Sequence, residues 1–358
     1  MVERVVLHVG TMKSGTTYLQ RVLDTGVLES AGGFYAGGSF KAQARAVDSL
    51  PQWTERRPPR AWRALAQRVQ HRPGTAFYSH EFLSFASRKR VRRVVESFGG
   101  TPVDVVLTVR DQHSAIPAQW QTFVRNSGVA TWEEYVRGLE TVLEGGQRRR
   151  TPAETNYRRA QGVQQIVARW GGDPGVSSVA VALVPPPGSA PQLLWQRFCE
   201  AAGIEAPEPP DVGTRLNPSL GYASCEVVRL LNPSLAGMRR PEPARARRVV
   251  LGALLSPREP EARPVLDRTG GDLARELNQR ILRVLERRGV RVVGSAGDLP
   301  VTGGEGEASS IPPPDPTELR RAAEHAWERC VPGVALPPGD VDDVVAELGR
   351  RLATRFGP

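Results

Sequence analysis

Lys13, Ser14, Gly15, Thr16 and Thr17 bring an ammonium, three hydroxyls and a glycine together in the run His-Val-Gly-Thr-Met-Lys-Ser-Gly-Thr-Thr-Tyr-Leu-Gln, residues 8–20. The segment just before it, Val5-Val6-Leu7-His8-Val9, is a short apolar run suited to the middle of a parallel sheet. Beyond it, Leu19, Val22 and Leu23 recur at helical spacing, which places Gly15 and Thr16 in the first turn of a helix. The first N–H groups of a helix have no carbonyl of their own to bond. A phosphate set there accepts those N–H groups, meets the positive end of the helix and faces the Lys13 ammonium. The plain alternative is an ordinary strand-to-helix turn with a surface lysine.

The spacing argues against magnesium-dependent nucleotide hydrolysis. A G-x-x-x-x-G-K-[ST] loop that starts at Gly10 needs lysine at position 16, where this chain has Thr16. Lysine is also rare here. Of 48 basic residues only Lys13, Lys41 and Lys89 are lysines, so one of them inside the loop is informative. A compact ammonium on a flexible stem follows a moving anion better than a rigid guanidinium fork does.

A second anion-binding candidate is Arg110. Asp104-Val105-Val106-Leu107-Thr108-Val109 has the composition of a buried strand, and an arginine at its exit can hold phosphate bidentately. Ser114 lies four residues on and is either a further phosphate donor or a helix cap. A third cluster, Phe77-Tyr78-Ser79-His80-Glu81, follows another predicted strand and should emerge at the same carboxyl edge as the loop, the usual ligand edge of open α/β sheets. His80 has a suitable ordinary pKa for proton abstraction, and Glu81 can do the same if partial burial raises its proton affinity. Neighbours in an extended segment point to opposite faces, so only one of the two should reach an acceptor well. His80 also has a structural reading, paired with the element that follows. His8 and His113 are weaker candidates, either orienting groups or ordinary hydrogen-bonded residues.

Gly10 to Gln20 resembles the 5′-phosphosulfate loop, T-x-P-K-[ST]-G-T-T-x-L, of sulfotransferases that use 3′-phosphoadenosine 5′-phosphosulfate (PAPS). Met12 stands where proline is more usual, which costs rigidity but removes no donor. The resemblance implies a P-loop-like α/β sulfotransferase fold, with Lys13 at the bond that breaks and residues 14–17 on the 5′-phosphate. It also puts Arg110 on the 3′-phosphate. The family's serine eight residues after that arginine is replaced by Ala118, with Ser114 the nearest hydroxyl. Ser79-His80-Glu81 is similar to a Ser-x-Glu arrangement of bacterial carbohydrate and natural-product enzymes, which favours Glu81 over His80 as the base. Arg215-Leu216-Asn217-Pro218-Ser219-Leu220 resembles an Asn-x-Ser-Leu element of the same branch. That likeness offers Arg215 and Ser219 to the 3′-phosphate, with turn and cap roles as the alternative. The resemblance runs in order over residues 1 to 300 and is strongest at 8–20, 79–81 and 104–121.

Composition sets wider bounds. The 358 residues, 40% hydrophobic, can bury one large core or a main domain with an annex. The formal net charge of +10 comes largely from arginines scattered along helices and loops. With no reading helix or aromatic platform for bases, no nucleic acid is expected as a partner. The positive field suits an anionic nucleotide or acceptor. Cys199, Cys225 and Cys330 are far apart and imply neither a disulfide framework nor a metal site, and the five histidines form no zinc motif. The chain enters a strand almost at once and has no apolar run long enough to span a bilayer, so a cytoplasmic protein without a transmembrane segment is expected.

Strands are expected at residues 3–9, 75–79, 104–109, 179–184 and 290–293, with helices between them. That alternation calls for an α/β fold on a mainly parallel sheet. Phe34-Tyr35, between glycine pairs, reads as loop at an acceptor entrance. Trp132, Tyr135, Val136, Leu139 and Leu143 form one helical stripe, and Ala160, Val163, Val167 and Trp170 another. Trp53, Tyr78, Trp120 and Phe123 are candidates for either pocket or core. Residues 302–316, with Gly-Gly-Glu-Gly-Glu and three successive prolines, read as a linker between a domain at 1–301 and a helical appendage at 317–358. The appendage suits either a homo-oligomer contact or simple capping.

Taken with the resemblance, these features imply a sulfotransferase that moves a sulfuryl group from PAPS to a hydroxyl or amine of a glycan, lipid or specialised metabolite. It would release adenosine 3′,5′-bisphosphate (PAP) and need no metal. The alternatives are a nucleotide kinase and a non-catalytic acidic-ligand module on an inactive version of the same fold.

Overall fold

The structure is a computed structural model that describes residues 1–53, 57–143, 150–213, 219–239, 241–303 and 308–357. The chain forms a mixed α/β fold with a central sheet of β1 (Val2–His8), β2 (Gly33–Tyr35), β3 (Gly74–Ser79), β4 (Val103–Val109), β5 (Val176–Leu183) and β6 (Arg291–Val293). Their order across the sheet is β2-β3-β1-β4-β5-β6, and all five pairings are parallel. Helices fill the connections: α1 (Thr16–Asp24), α2 (Phe40–Ser49), α3 (Arg60–Gln70), α4 (Arg88–Glu96), α5 (Gln112–Arg125), α6 (Trp132–Glu140) and α7 (Pro152–Gln161). They continue with α8 (Val163–Trp170), α9 (Leu193–Ala202), α10 (Tyr222–Leu235), α11 (Glu242–Leu254), α12 (Arg268–Arg287), α13 (Pro316–Cys330) and α14 (Val341–Phe356).

Period-two alternation in the strands builds two cores, one on each face of the sheet. Val5, Leu7 and Val9, with Ala76 and Tyr78, Val105 and Leu107, and Val181 and Leu183, face one way. There they meet Val47 and Leu50, Trp62 and Leu65 of α3, Val91 and Val94 of α4, and Ile166 and Trp170 of α8. Val6, Phe77, Val106, Ala180 and Ala182 face the other way, against Leu19, Val22 and Leu23 of α1 and Leu194, Trp195 and Phe198 of α9. With both faces covered, the strands read as nearly unbroken apolar runs.

Two sequence expectations are corrected. Phe34 and Tyr35 are not loop; Gly33–Tyr35 is the edge strand β2, with Phe34 opposite Ala76 and Tyr35 opposite Phe77. Gly33 permits this pairing, since a Cβ there would lie 2.9 Å from the Phe77 ring. The stripe from Ala160 to Trp170 is not one helix. It breaks at Gly162 into α7 and α8, where a Cβ would meet the Arg158 carbonyl at 2.3 Å. Trp53, Tyr78, Trp120 and Phe123 are all buried.

The chain forms two compact units, Met1–Ala115 with Tyr157–Gly213 and Ala274–Gly303, and Ile116–Asn156 with Thr214–Leu273 and Gly304–Pro358. The whole sheet belongs to the first. In the second, α10 packs against α11, α13 and α14. Trp120 lies between Trp132 and Tyr222, at ring distances of 5.5 and 5.6 Å. The C-terminal helices α13 and α14 start at Asp315 and Asp340, whose carboxylates accept N–H groups of the first turn. Among the described residues no helix is long and apolar enough to cross a membrane.

Buried glutamine holds the carboxyl end of β3. Gln43 of α2 donates to the Ala36 and Phe77 carbonyls at 3.0 Å each, and its oxygen accepts the Ser79 N–H at 2.8 Å. Gln43→Leu strands all three backbone groups in a dry site, so it is expected to lower unfolding stability by about 2–4 kcal/mol. Urea denaturation measures this, and a loss below about 0.5 kcal/mol would contradict the role assigned to Gln43.

Candidate functional site

β1 is central, and its exit is tied to its neighbours by a chain of hydrogen bonds. His8 is fully buried. Its Nδ1 lies 2.7 Å from Ser79 Oγ on β3, and its Nε2 3.0 Å from Thr108 Oγ1 on β4. Thr108 Oγ1 is 2.6 Å from Ser14 Oγ, which donates to the Thr11 carbonyl at 2.7 Å. Each hydroxyl has a single proton, so the last bond fixes the direction of the others. Thr108 donates to Ser14, His8 Nε2–H donates to Thr108, and in the neutral ring Ser79 donates to Nδ1. Burial pushes the His8 pKa down to about 3, in keeping with a neutral ring.

Around this chain the β1–α1 loop takes an unusual backbone shape. Lys13 has φ 65° and Gly15 φ 83°. A left-handed non-glycine residue costs about 1–2 kcal/mol, and such strain concentrates at ligand-binding sites. Left-handed residues alternating with ordinary ones turn successive N–H groups toward one concave side, which suits an anion. The Gly15 carbonyl accepts the N–H groups of Tyr18 and Leu19, so the bonding of α1 begins at this residue and the helix N-terminus lies at the loop. Ser14 and Thr16 are buried, Lys13 is half-buried and Thr17 is exposed. Among the described residues the buried Thr16 hydroxyl has no hydrogen-bond partner, which a bound anion would supply. Gly10 closes the cradle. A Cβ there would lie 2.5 Å from Thr108 Oγ1, 2.8 Å from Thr16 Oγ1 and 3.0 Å from Ser14 Oγ.

The far side of the loop is braced by α7. The Met12 N–H donates to the Ala160 carbonyl at 3.1 Å, and the Met12 carbonyl accepts from Gln161 Nε2 at 2.6 Å. Proline at position 12 could not make the first of these bonds. The rigidity that proline would have given comes from α7 instead.

Glu81 and His80 follow β3 at the same sheet edge. His80 is extended, and its Nδ1 accepts the Phe82 N–H at 3.2 Å, capping the short 3-10 turn Glu81–Phe85. In the neutral ring this leaves the proton on Nε2, so His80 has no nitrogen open to accept another. Burial lowers the His80 pKa, with Glu81 and Asp48 acting in the opposite direction. Glu81 is half-buried and accepts from Gln20 Nε2 at 3.3 Å, while the same amide donates to the Ser79 carbonyl at 3.1 Å. Gln20 therefore ties Glu81 to the helix that begins in the loop.

Arg110 leaves β4 half-buried, and its carbonyl accepts from Gln112 Nε2 at 2.9 Å. Tyr157 donates to Gln112 Oε1, and the Gln112 N–H donates to Asn278 Oδ1 at 3.0 Å. The cap of α5 is Asp111, whose carboxylate accepts the Ser114 N–H at 3.1 Å, so the Ser114 hydroxyl is not the capping group. His113 accepts from Arg275 at 3.5 Å through Nε2, with Nδ1 3.9 Å from Asp111. Lys13, Ser14, Gly15, Thr16, Thr17, His80, Glu81, Arg110 and Ser114 thus all belong to the sheet-bearing unit. Ser219 is exposed, three residues ahead of α10 in the other unit, and Arg215 lies outside the described residues.

Thr108, Gln20, Gln112 and Gln161 were not singled out by sequence reasoning. A signal was present for Gln20, because Thr16, Leu19, Gln20 and Leu23 share one helical stripe and a glutamine on an apolar stripe is buried with a task. Among the described residues no cluster of His, Cys, Asp and Glu could hold a metal ion. No protein-family model, curated protein or solved structure matches the chain. The loop has a shape that suits an oxyanion, and the Glu81 carboxylate is tied by Gln20 to the helix that begins there.

Two outcomes are expected. Gly10→Ala forces a methyl among three hydroxyls and should cost about 2–3 kcal/mol of stability in urea denaturation; an unchanged midpoint would contradict the packing described. For His8, the unfolded chain takes up a proton near its ordinary value while the folded ring resists down to about 3. Acidification from pH 6.5 toward 3 should therefore remove stability at about 1.4 kcal/mol per pH unit from this group alone. Over pH 6.5 to 5, His8→Asn should show a shallower decline than the native chain; equal slopes would contradict a neutral buried His8.

Proposed function

We propose that the protein is a sulfotransferase that uses 3′-phosphoadenosine 5′-phosphosulfate and a hydroxyl or amine acceptor on a glycan, lipid or specialised metabolite. The observation that carries this reading is the β1–α1 loop. Lys13 and Gly15 are left-handed there, Ser14 is pinned through Thr108 to His8, and the buried Thr16 hydroxyl lacks a partner among the described residues. That cradle fits a 5′-phosphate, and the likeness of Gly10–Gln20 to the PAPS loop names the nucleotide. The same likeness gives Arg110 to the 3′-phosphate, with Ser114, Arg215 and Ser219 as further candidates.

Bound there, the donor supplies a sulfuryl group: the acceptor oxygen or nitrogen bonds to sulfur as the bond from sulfur to the 5′-phosphate oxygen breaks, and PAP leaves. The N–H groups of residues 14–17 and the Thr16 hydroxyl hold the 5′-phosphate. Lys13 neutralises the charge that grows on that phosphate, the electrostatic role that dominates transfer of this kind. Glu81 takes the acceptor proton, and Gln20 holds its carboxylate toward the loop. His80 shapes the turn that presents Glu81, because its Nδ1 is committed to the Phe82 N–H.

A labelled-donor assay across hydroxylated metabolites and sugars tests this, with the product identified by mass. Lys13→Ala should reduce transfer by about 10²–10³-fold and Glu81→Gln by about 10²–10⁴-fold, with melting temperatures unchanged. His80→Asn keeps a capping acceptor and should cost less than about tenfold. Native transfer rates in Lys13→Ala would overturn the assignment. Tight PAP binding with no transfer to any acceptor would favour the non-catalytic module.

A further inference from the structure

The chain has 22 aromatic residues of the Phe, Tyr and Trp types, all of them among the described residues, and only two are exposed. These are Phe40 at 38% and Phe82 at 43% exposure. Both stand against His80, with ring centroids 5.8 and 5.0 Å away. Exposed aromatics scattered by chance need no explanation, but a pair on the residue next to the candidate base marks a contact surface. The row continues inward. Phe82 stacks on Phe85 at 5.5 Å, and the Arg159 guanidinium lies 4.4 Å over the Phe85 ring.

Phe82, Phe85 and Arg159 of this row line one side of a cavity of about 490 Å³, within the size range of small-molecule sites. Leu50, Phe82, Phe85 and Ala86 give it an apolar wall. Among the described residues its charged lining is Arg90 and Arg159 against Asp48, so that part of the wall carries net positive charge. Arg90 is half-buried, and burial together with neighbouring Arg93 disfavours its charge. An anion beside it relieves that cost. The cavity is coupled to the loop as well: Arg159 precedes Ala160 and Gln161, the two residues that hold Met12.

A glycan would need a wall rich in hydrogen-bonding groups, and a long acyl chain would leave two arginines without a purpose. We infer that this cavity is the acceptor subsite, taking a planar aromatic hydroxy compound that carries a carboxylate or similar anionic group. The ring lies against Phe82 and Phe85, and the anion pairs with Arg90 and Arg159. The inference rests on the sulfuryl-transfer reading for what happens to the acceptor, but binding to the cavity does not depend on the donor.

The test uses 6-hydroxy-2-naphthoate and its neutral counterpart 2-naphthol, with binding to the full chain measured by calorimetry in the absence of nucleotide. The naphthoate should bind at least about tenfold tighter than the naphthol, the size of one charge-assisted contact. Arg90→Gln and Arg159→Gln should erase that preference while leaving naphthol binding unchanged. Phe85→Ala should weaken both ligands. Equal affinities for the two probes, or a preference that survives both arginine substitutions, would overturn the inference. Transfer assays separate it from the underlying reading. Arginine-dependent naphthoate binding without sulfation by PAPS would leave the subsite standing and count against the sulfotransferase. Sulfation of sugars without naphthoate binding would do the reverse.

Discussion

The hydroxyl of Thr108 is the point on which the site depends. It accepts from His8 on the neighbouring strand, donates to Ser14 in the loop, and sits where Gly10 leaves room for no side chain. Through it the loop is fastened to the middle of the sheet rather than to a flexible edge. Fixing the loop in this way is what allows Lys13 to remain in a left-handed conformation that an unsupported chain would abandon. The chain of donors ends at a backbone carbonyl, so Nε2 of His8 must carry a proton, and burial keeps the ring neutral with Nδ1 as an acceptor.

Two further elements hold the loop in place. α7 grips both sides of the Met12 peptide unit. Gln20 reaches from the first helix to the end of β3 and to Glu81. The Glu81 carboxylate is thus linked through Gln20 to the helix that begins in the loop. Under the proposed reaction, this bracing fixes the line along which the sulfuryl group moves. Positioning supplies much of the rate in transfers of this kind.

Much of the α/β architecture could be read from the sequence, because parallel strands buried on both faces are written as apolar runs. β1, β3 and β4 are such runs. β2 escaped because three residues between glycines carry too little pattern, and its pairing is decided by the neighbouring β3. The break at Gly162 escaped for a similar reason, since the apolar stripe keeps its spacing across a single residue that closely approaches a carbonyl. Residue types and spacing singled out the loop, Arg110 and the pair His80-Glu81 as candidates. They did not expose what orients these groups. Gln43, Gln20 and Gln161 act through contacts far along the chain, and Thr108 looks like an ordinary strand threonine. Which of His80 and Glu81 is available for a proton could not be read from sequence either, as it turns on one backbone N–H in the turn after β3.

The most direct test of the account is a crystal structure of the protein with adenosine 3′,5′-bisphosphate. The account predicts 5′-phosphate oxygens within about 3 Å of the N–H groups of residues 14–17 and of the Thr16 hydroxyl, with the Lys13 ammonium beside them. A nucleotide bound elsewhere, with the loop unchanged and its Thr16 hydroxyl still without a partner, would contradict it.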